Sequence, residues 1–147
     1  MTCLLSESDS PQLVRKKSRT TVVRLTHPLD NTHVIVSAMW TVLYLPEAER
    51  ERNRLPAVEK AALINADRKL EALGPRLPYP HSSAVKSADR LRELRPRGGR
   101  SPWRALYRQV VDTFVVAAVG PEAQVDGRRF DAACRAAERR LSEIEEE

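Results

Sequence analysis

The spacing of apolar and polar positions changes period several times along this 147-residue chain, and each change marks an element. Residues 40–45, Trp-Thr-Val-Leu-Tyr-Leu, are aromatic and β-branched, the composition of a strand. Pro46 then opens a helix that runs to about Arg54, with Glu47, Glu49 and Glu51 near its positive dipole end. Leu55-Pro56 breaks that helix and starts a second. Here Val58, Ala62, Ala66, Leu70 and Leu73 recur at helical spacing, predicting an amphipathic helix packed on a sheet, closed by Gly74-Pro75.

Residues 75–90 hold three prolines and two adjacent serines and read as an irregular connection. Leu91 to Pro96 and Trp103 to Val110 are β-like runs flanking the loop 97–102, so they form a hairpin. A tight turn at Val110-Val111-Asp112-Thr113 leads into Asp112 to Val119, apolar on both alternating faces as in the centre of a covered sheet. After Gly127, the residues Phe130, Ala133, Cys134, Ala137, Leu141 and Ile144 step by three and four along one helix face, which makes Cys134 a small buried hydrophobe. The final Glu143, Glu145, Glu146 and Glu147 oppose the helix dipole, so this end should fray. Residues 1–38 show no periodicity and read as a poorly ordered basic N-terminal arm or extension; residues 39–147 form the domain.

Length permits one domain with a real core. The net charge of +5 is unevenly distributed: residues 76–108 carry nine bases and two acids, whereas 109–147 carry five bases and nine acids. The excess gathers on the predicted hairpin as Arg92, Arg95, Arg97, Arg100, Arg104 and Arg108, a surface that suits phosphate. Cys3 and Cys134 lie far apart without metal-ligand spacing, which predicts free thiols in a reducing compartment. No apolar run approaches the roughly 20 residues of a membrane span, so a soluble, cytoplasmic protein without membrane partners is expected. His27, His33 and His81 lack ligand spacing, and Gly98-Gly99 is a turn signal alone, so neither a metal nor a cofactor is expected.

The predicted order is strand, helix, helix, three antiparallel strands, helix. With it come the segments WTVLYLPEAE at 40–49, LEALGPRLPYP at 70–80, LRELRP at 91–96 and WRALYR at 103–108. Together these resemble the RelE/ParE toxin superfamily, and most closely its HigB-like, phage-derived branch, over about Trp40 to Glu147. The resemblance implies an α+β, RelE-like fold: an N-terminal strand, a two-helix hairpin, an antiparallel three-strand meander completing a four-stranded sheet, and a C-terminal helix. It also implies a toxin of a bacterial type II toxin–antitoxin system, partnered by a cognate antitoxin that often carries a helix-turn-helix. The commonest activity of such toxins is ribosome-dependent mRNA cleavage; in the ParE branch the target is instead DNA gyrase.

Metal-free RNA cleavage needs a base for the 2′-hydroxyl, charge to stabilise the phosphorane and an acid for the 5′-oxygen. Arginine forks suit the second task, but a guanidinium is a poor proton acceptor. By resemblance Arg95 and Arg104 are the phosphate contacts. His81, Glu93, Tyr107, Glu122 and Asp126 are candidates for proton transfer, with His81 the natural base on chemistry alone. The catalytic set is thus His81, Arg95, Arg104 and Tyr107, with Lys86, Arg92, Arg97, Arg100 and Arg108 binding RNA phosphates. Strand alternation sets Trp103 and Tyr107 on one face and Arg104 and Arg108 on the other. HigB-like proteins commonly carry a Phe-x-Lys-Lys segment after the central strand, where this chain has Gly120-Pro121-Glu122-Ala123-Gln124-Val125-Asp126. That departure leaves open a different target, gyrase inhibition, or a decayed toxin that only binds its antitoxin.

Overall fold

A computed structural model of the protein describes residues 24–26, 33–35 and 40–145. Two short strands, β1 (Arg24–Thr26) and β2 (His33–Ile35), pair antiparallel with each other. The remaining expectations for the arm, for Met39 as the start of the domain, for Cys3 and for Glu146 and Glu147 fall outside the described residues.

A five-stranded sheet organises residues 40–145, in the order β3-β7-β6-β5-β4. Strand β3 (Thr41–Tyr44) lies parallel to β7 (Thr113–Pro121), with Val42 opposite Phe114 and Tyr44 opposite Val116. A parallel pair needs a long crossover, and the two helices and three strands between β3 and β7 supply it. Strands β4 (Ser82–Ala84), β5 (Arg92–Leu94), β6 (Trp103–Val110) and β7 are antiparallel neighbours in turn.

The expected four strands are therefore five. Strand β4 comes from the connection read as irregular: tertiary pairing of Ser82, Ser83 and Ala84 with Leu94, Glu93 and Arg92 overrides its weak local preference. Ser82 is fully buried there, its hydroxyl 2.6 Å from that of Tyr107.

Helix α1 (Pro46–Asn53) begins at the expected proline and buries Ala48 completely. Helix α2 (Ala57–Leu73) ends at Gly74, where φ is +60° and the backbone crosses the indole of Trp40. Its inward face holds Leu63, Ala66, Asp67 and Leu70. Val58 and Leu73, expected in that stripe, are 66% and 40% exposed. The sheet receives only the middle turns of α2, so the apolar residues of its terminal turns stay in solvent.

Helices α1 and α2 cover one sheet face, packing on Leu94, Ala105, Tyr107, Phe114 and Val116. Helix α3 (Gly127–Glu145) covers the other through Cys134, Ala137 and Leu141, against Leu106, Val115, Ala117 and Ala118. Burial pushes the Cys134 thiol up to about 11, consistent with its role as a small core residue. A bulge in the β6–β7 ladder lets Ala117 and Ala118 both face α3.

Strand β3 stops opposite Val116, leaving the last part of β7 without a strand on that side. Side chains take over there. Glu51 of α1 accepts the Val119 N–H at 3.0 Å, and Arg140 of α3 donates to the Ala117 carbonyl at 2.7 Å and to Glu51 at 3.1 and 3.3 Å.

A candidate active-site cleft

Alternation along β6 directs Arg104 to the α3 side, opposite Gly120 of β7. Gly120 is needed there, because a Cβ would lie 2.9 Å from that of Ala133 on α3. Arg104 is only 3% exposed and its fork is fully occupied. One terminal nitrogen donates to the carbonyls of Ser101 and Trp103 at 2.6 and 2.9 Å; the other donates to the Gly99 carbonyl at 3.3 Å and to Glu122 at 2.7 Å. Its Nε lies 3.4 Å from Glu93 without an aligned hydrogen bond. Desolvation loosens the hold of Arg104 on its proton, Glu122 opposes that, Arg95 adds to it, and Glu93 again opposes it.

Glu93 of β5 shares this face, and its second oxygen accepts from Arg95 at 3.0 Å. Arg95 is pinned at Nε by the Pro80 carbonyl, 2.9 Å away, and lies over the ring of Tyr79. The backbone at Gly99, with φ at +97°, comes so close that a Cβ would sit 2.7 Å from an Arg95 terminal nitrogen. Arg95, Glu93, Arg104 and Glu122 thus form a chain of alternating charge along the floor of a cleft of about 560 Å3. Lys86, Ser83, Gln124 and Phe130 complete its walls.

The other expected site residues are dispersed. His81 lines a separate groove of about 500 Å3 against Ala62, Asn65 and Lys69 of α2; Arg95 borders both hollows. Tyr107 is 2% exposed on the opposite sheet face, edge-on to Phe114 with ring centres 5.7 Å apart, so the sheet separates it from the Arg104 cleft. Arg108 is buried at the far end of β6, donating to the Asp89 carbonyl at 3.1 Å and to Glu145 at 3.4 Å. Arg97 bonds Glu59 at 3.1 and 3.2 Å. The Ser101 hydroxyl and Arg97 together hold that carboxyl below its ordinary range, against the opposing effect of burial.

Among the described residues, no carboxylate lies within ion-pair distance of Lys86, Arg92 or Arg100. Arg100 is exposed, and Arg92 is held at Nε by Ser82. Asp126 caps α3, accepting the Arg129 N–H at 3.1 Å. Sequence reasoning did not single out Tyr79, Ser83, Gln124 or Phe130 as cleft residues. The i, i+2 spacing of Glu93 and Arg95 was a signal for their shared face.

Residues 50–120 match the family described as phage derived protein Gp49-like. No curated protein matches. Among solved structures, the chain is similar to the toxin–antitoxin complex RelBE2 from Mycobacterium tuberculosis, at 22% identity over 58% of this chain and 100% of that one, with a TM-score of 0.46. It is also similar to an arginine double mutant of the E. coli toxin RelE in the free state, at 15% identity over 66% of this chain and 96% of that one, with a TM-score of 0.49. The Gp49-like match runs from within α1 to the last residues of β7, just under half of the chain, and takes in four of the five strands of the sheet and most of the cleft lining.

Proposed function

We propose that this chain is the toxin of a bacterial type II toxin–antitoxin pair, a cytoplasmic endoribonuclease that cuts mRNA on the ribosome and is restrained by a cognate, helix-turn-helix antitoxin. The observation that carries the nuclease reading is Glu93, fixed between two guanidinium groups and lining an open cleft beside Lys86. In this reading a carboxylate, Glu93 or Glu122, accepts the 2′-hydroxyl proton as that oxygen attacks the adjacent phosphorus. Arg95 and Lys86 offset the charge gathering on the phosphorane, a cyclic 2′,3′-phosphate forms as the bond to the 5′-oxygen breaks, and that departing oxygen takes a proton from solvent water. Arg104, buried with both terminal nitrogens engaged, is a positioning residue that holds both carboxylates.

Inducible expression of the full chain in a bacterium, with genome-wide mapping of RNA ends, tests this. Growth arrest should come with new ends inside translated messages. Glu93→Gln should reduce cleavage by about 10²–10⁴-fold, the usual loss when a proton-transfer group is removed, while the thermal midpoint of the variant verifies its fold. Arrest without new RNA ends would remove the nuclease.

A second reading is favoured by one specific observation: Arg95, Arg97 and Arg104 already contact carboxylates, so a phosphate must compete for them. A toxin that inhibits DNA gyrase, or one that retains only antitoxin binding, does not need those forks free. Gyrase inhibition predicts arrest with DNA damage and intact mRNA; a decayed toxin predicts no arrest.

A further inference from the structure

Arg92 differs from the other buried or half-buried arginines of the hairpin. Its Nε donates to the Ser82 hydroxyl at 3.0 Å, and that hydroxyl shares a 2.6 Å hydrogen bond with the buried hydroxyl of Tyr107. The anchor is thus rooted in the core. No hydrogen bond or ion pair engages the two terminal nitrogens of Arg92 among the described residues, whereas Arg95, Arg97, Arg104 and Arg108 each meet a carboxylate. A fork fixed at its stem with its tips unpaired is preorganised for an oxyanion, because little rotamer entropy remains to be lost on binding.

The surroundings fit such a ligand. Arg92 lines a hollow of about 940 Å3 on the α2 side of the sheet, together with Lys86, Arg90 and Gln109, and Tyr107 and Phe114 form part of its wall. Asp89 is the one carboxylate in that lining. Lys86 also lines the Glu93 cleft. The hollow and the cleft therefore adjoin through Lys86, and between them runs β4, an edge strand of three residues.

We propose that the Arg92 hollow is a second phosphate subsite, and that a single RNA strand seated in the Glu93 cleft passes Lys86, bends over the β4 edge and places a flanking phosphate on the Arg92 fork. This rests on the reading that the cleft takes RNA, and deepens it by assigning a footprint longer than the cleft itself.

The test uses the full chain carrying Glu93→Gln, so that bound RNA is not cut, and fluorescence anisotropy with a labelled trinucleotide and a nine-nucleotide RNA. The longer RNA should bind more tightly. Arg92→Gln should weaken the nine-nucleotide RNA by about five- to tenfold and lower its salt slope by about 0.7, the change expected for one lost phosphate contact on a single strand, without altering trinucleotide affinity. Lys86→Gln should weaken both. Arg92→Lys keeps the charge and loses the fork, and should fall between wild type and Arg92→Gln; thermal midpoints check that each variant is folded. Equal affinity for the two lengths, an Arg92→Gln variant that binds the longer RNA as wild type does, or the absence of RNA binding would each overturn the proposal. Cleavage is read separately, from RNA ends in cells. A chain that binds RNA through Arg92 without cutting it would keep the subsite and lose the nuclease.

Discussion

Asp67 is an acid in the wrong place for an acid. It faces inward from α2 at 8% exposure, with both carboxylate oxygens 2.9–3.0 Å from the Tyr44 hydroxyl that donates to them. Burial pushes its pKa up to about 7, from an ordinary 3.8; the Tyr44 bond and the Arg52 charge oppose the rise, and Glu71 adds to it. The folded protein therefore keeps this proton over a range where the unfolded chain has released it, and stability contributed by Asp67 increases as pH falls from 8 toward 4. The difference corresponds to at most about 4 kcal/mol. Thermal melts across that range should show Asp67→Asn raising the midpoint at pH 8 and flattening its dependence on pH. An unchanged slope in the variant would assign the pH dependence to other groups. The sequence made the arginines of residues 76–108 visible but not their occupancy. Glu59, Glu122 and Glu145 reach them from 18 to 38 positions away, and no local pattern announces such pairings.

At the scale of elements, the end of α2 is set by one contact. Gly74 adopts φ +60° and ψ −137°, a region nearly closed to side-chain-bearing residues, and a Cβ there would lie 2.3 Å from the indole nitrogen of Trp40. The backbone N–H of Trp40 meanwhile donates to the Glu71 carbonyl at 2.7 Å, tying the entry of β3 to the exit of α2. Gly74→Ala should thus cost about 2–4 kcal/mol, combining backbone strain with displacement of a packed ring. Chemical denaturation would measure it, and a loss below about 0.5 kcal/mol would show that Trp40 moves aside freely. The glycine was legible as a helix stop because Gly-Pro is a local signal; its contact with Trp40 spans 34 positions. Strand β4 escaped notice for the same reason in reverse, since its three residues are held by pairing with β5 and by the Ser82–Tyr107 bond rather than by composition.

At the scale of the whole molecule, the order of helices and strands could be read from periodicity, and the separation of Trp103 and Tyr107 from Arg104 and Arg108 followed from alternation. The parallel seat of β3 beside β7 could not, because it joins residues about 72 positions apart. Nor could the closure at the end of β7. There Glu51 and Arg140, one from each helical layer, meet backbone groups that a further strand would otherwise engage. Their side chains are half-buried, so their mutual ion pair is the smaller part of their role. With both removed, as in Glu51→Ala combined with Arg140→Ala, a length of apolar β7 would present open hydrogen-bonding groups to solvent. Such an edge recruits any matching strand. The double variant should then self-associate at concentrations where the parent chain does not, measurable by size-exclusion chromatography with light scattering; an unchanged mass would mean that α1 and α3 shield the edge by bulk alone. Two side chains that close the end of the sheet would in that light also be gatekeepers against aggregation.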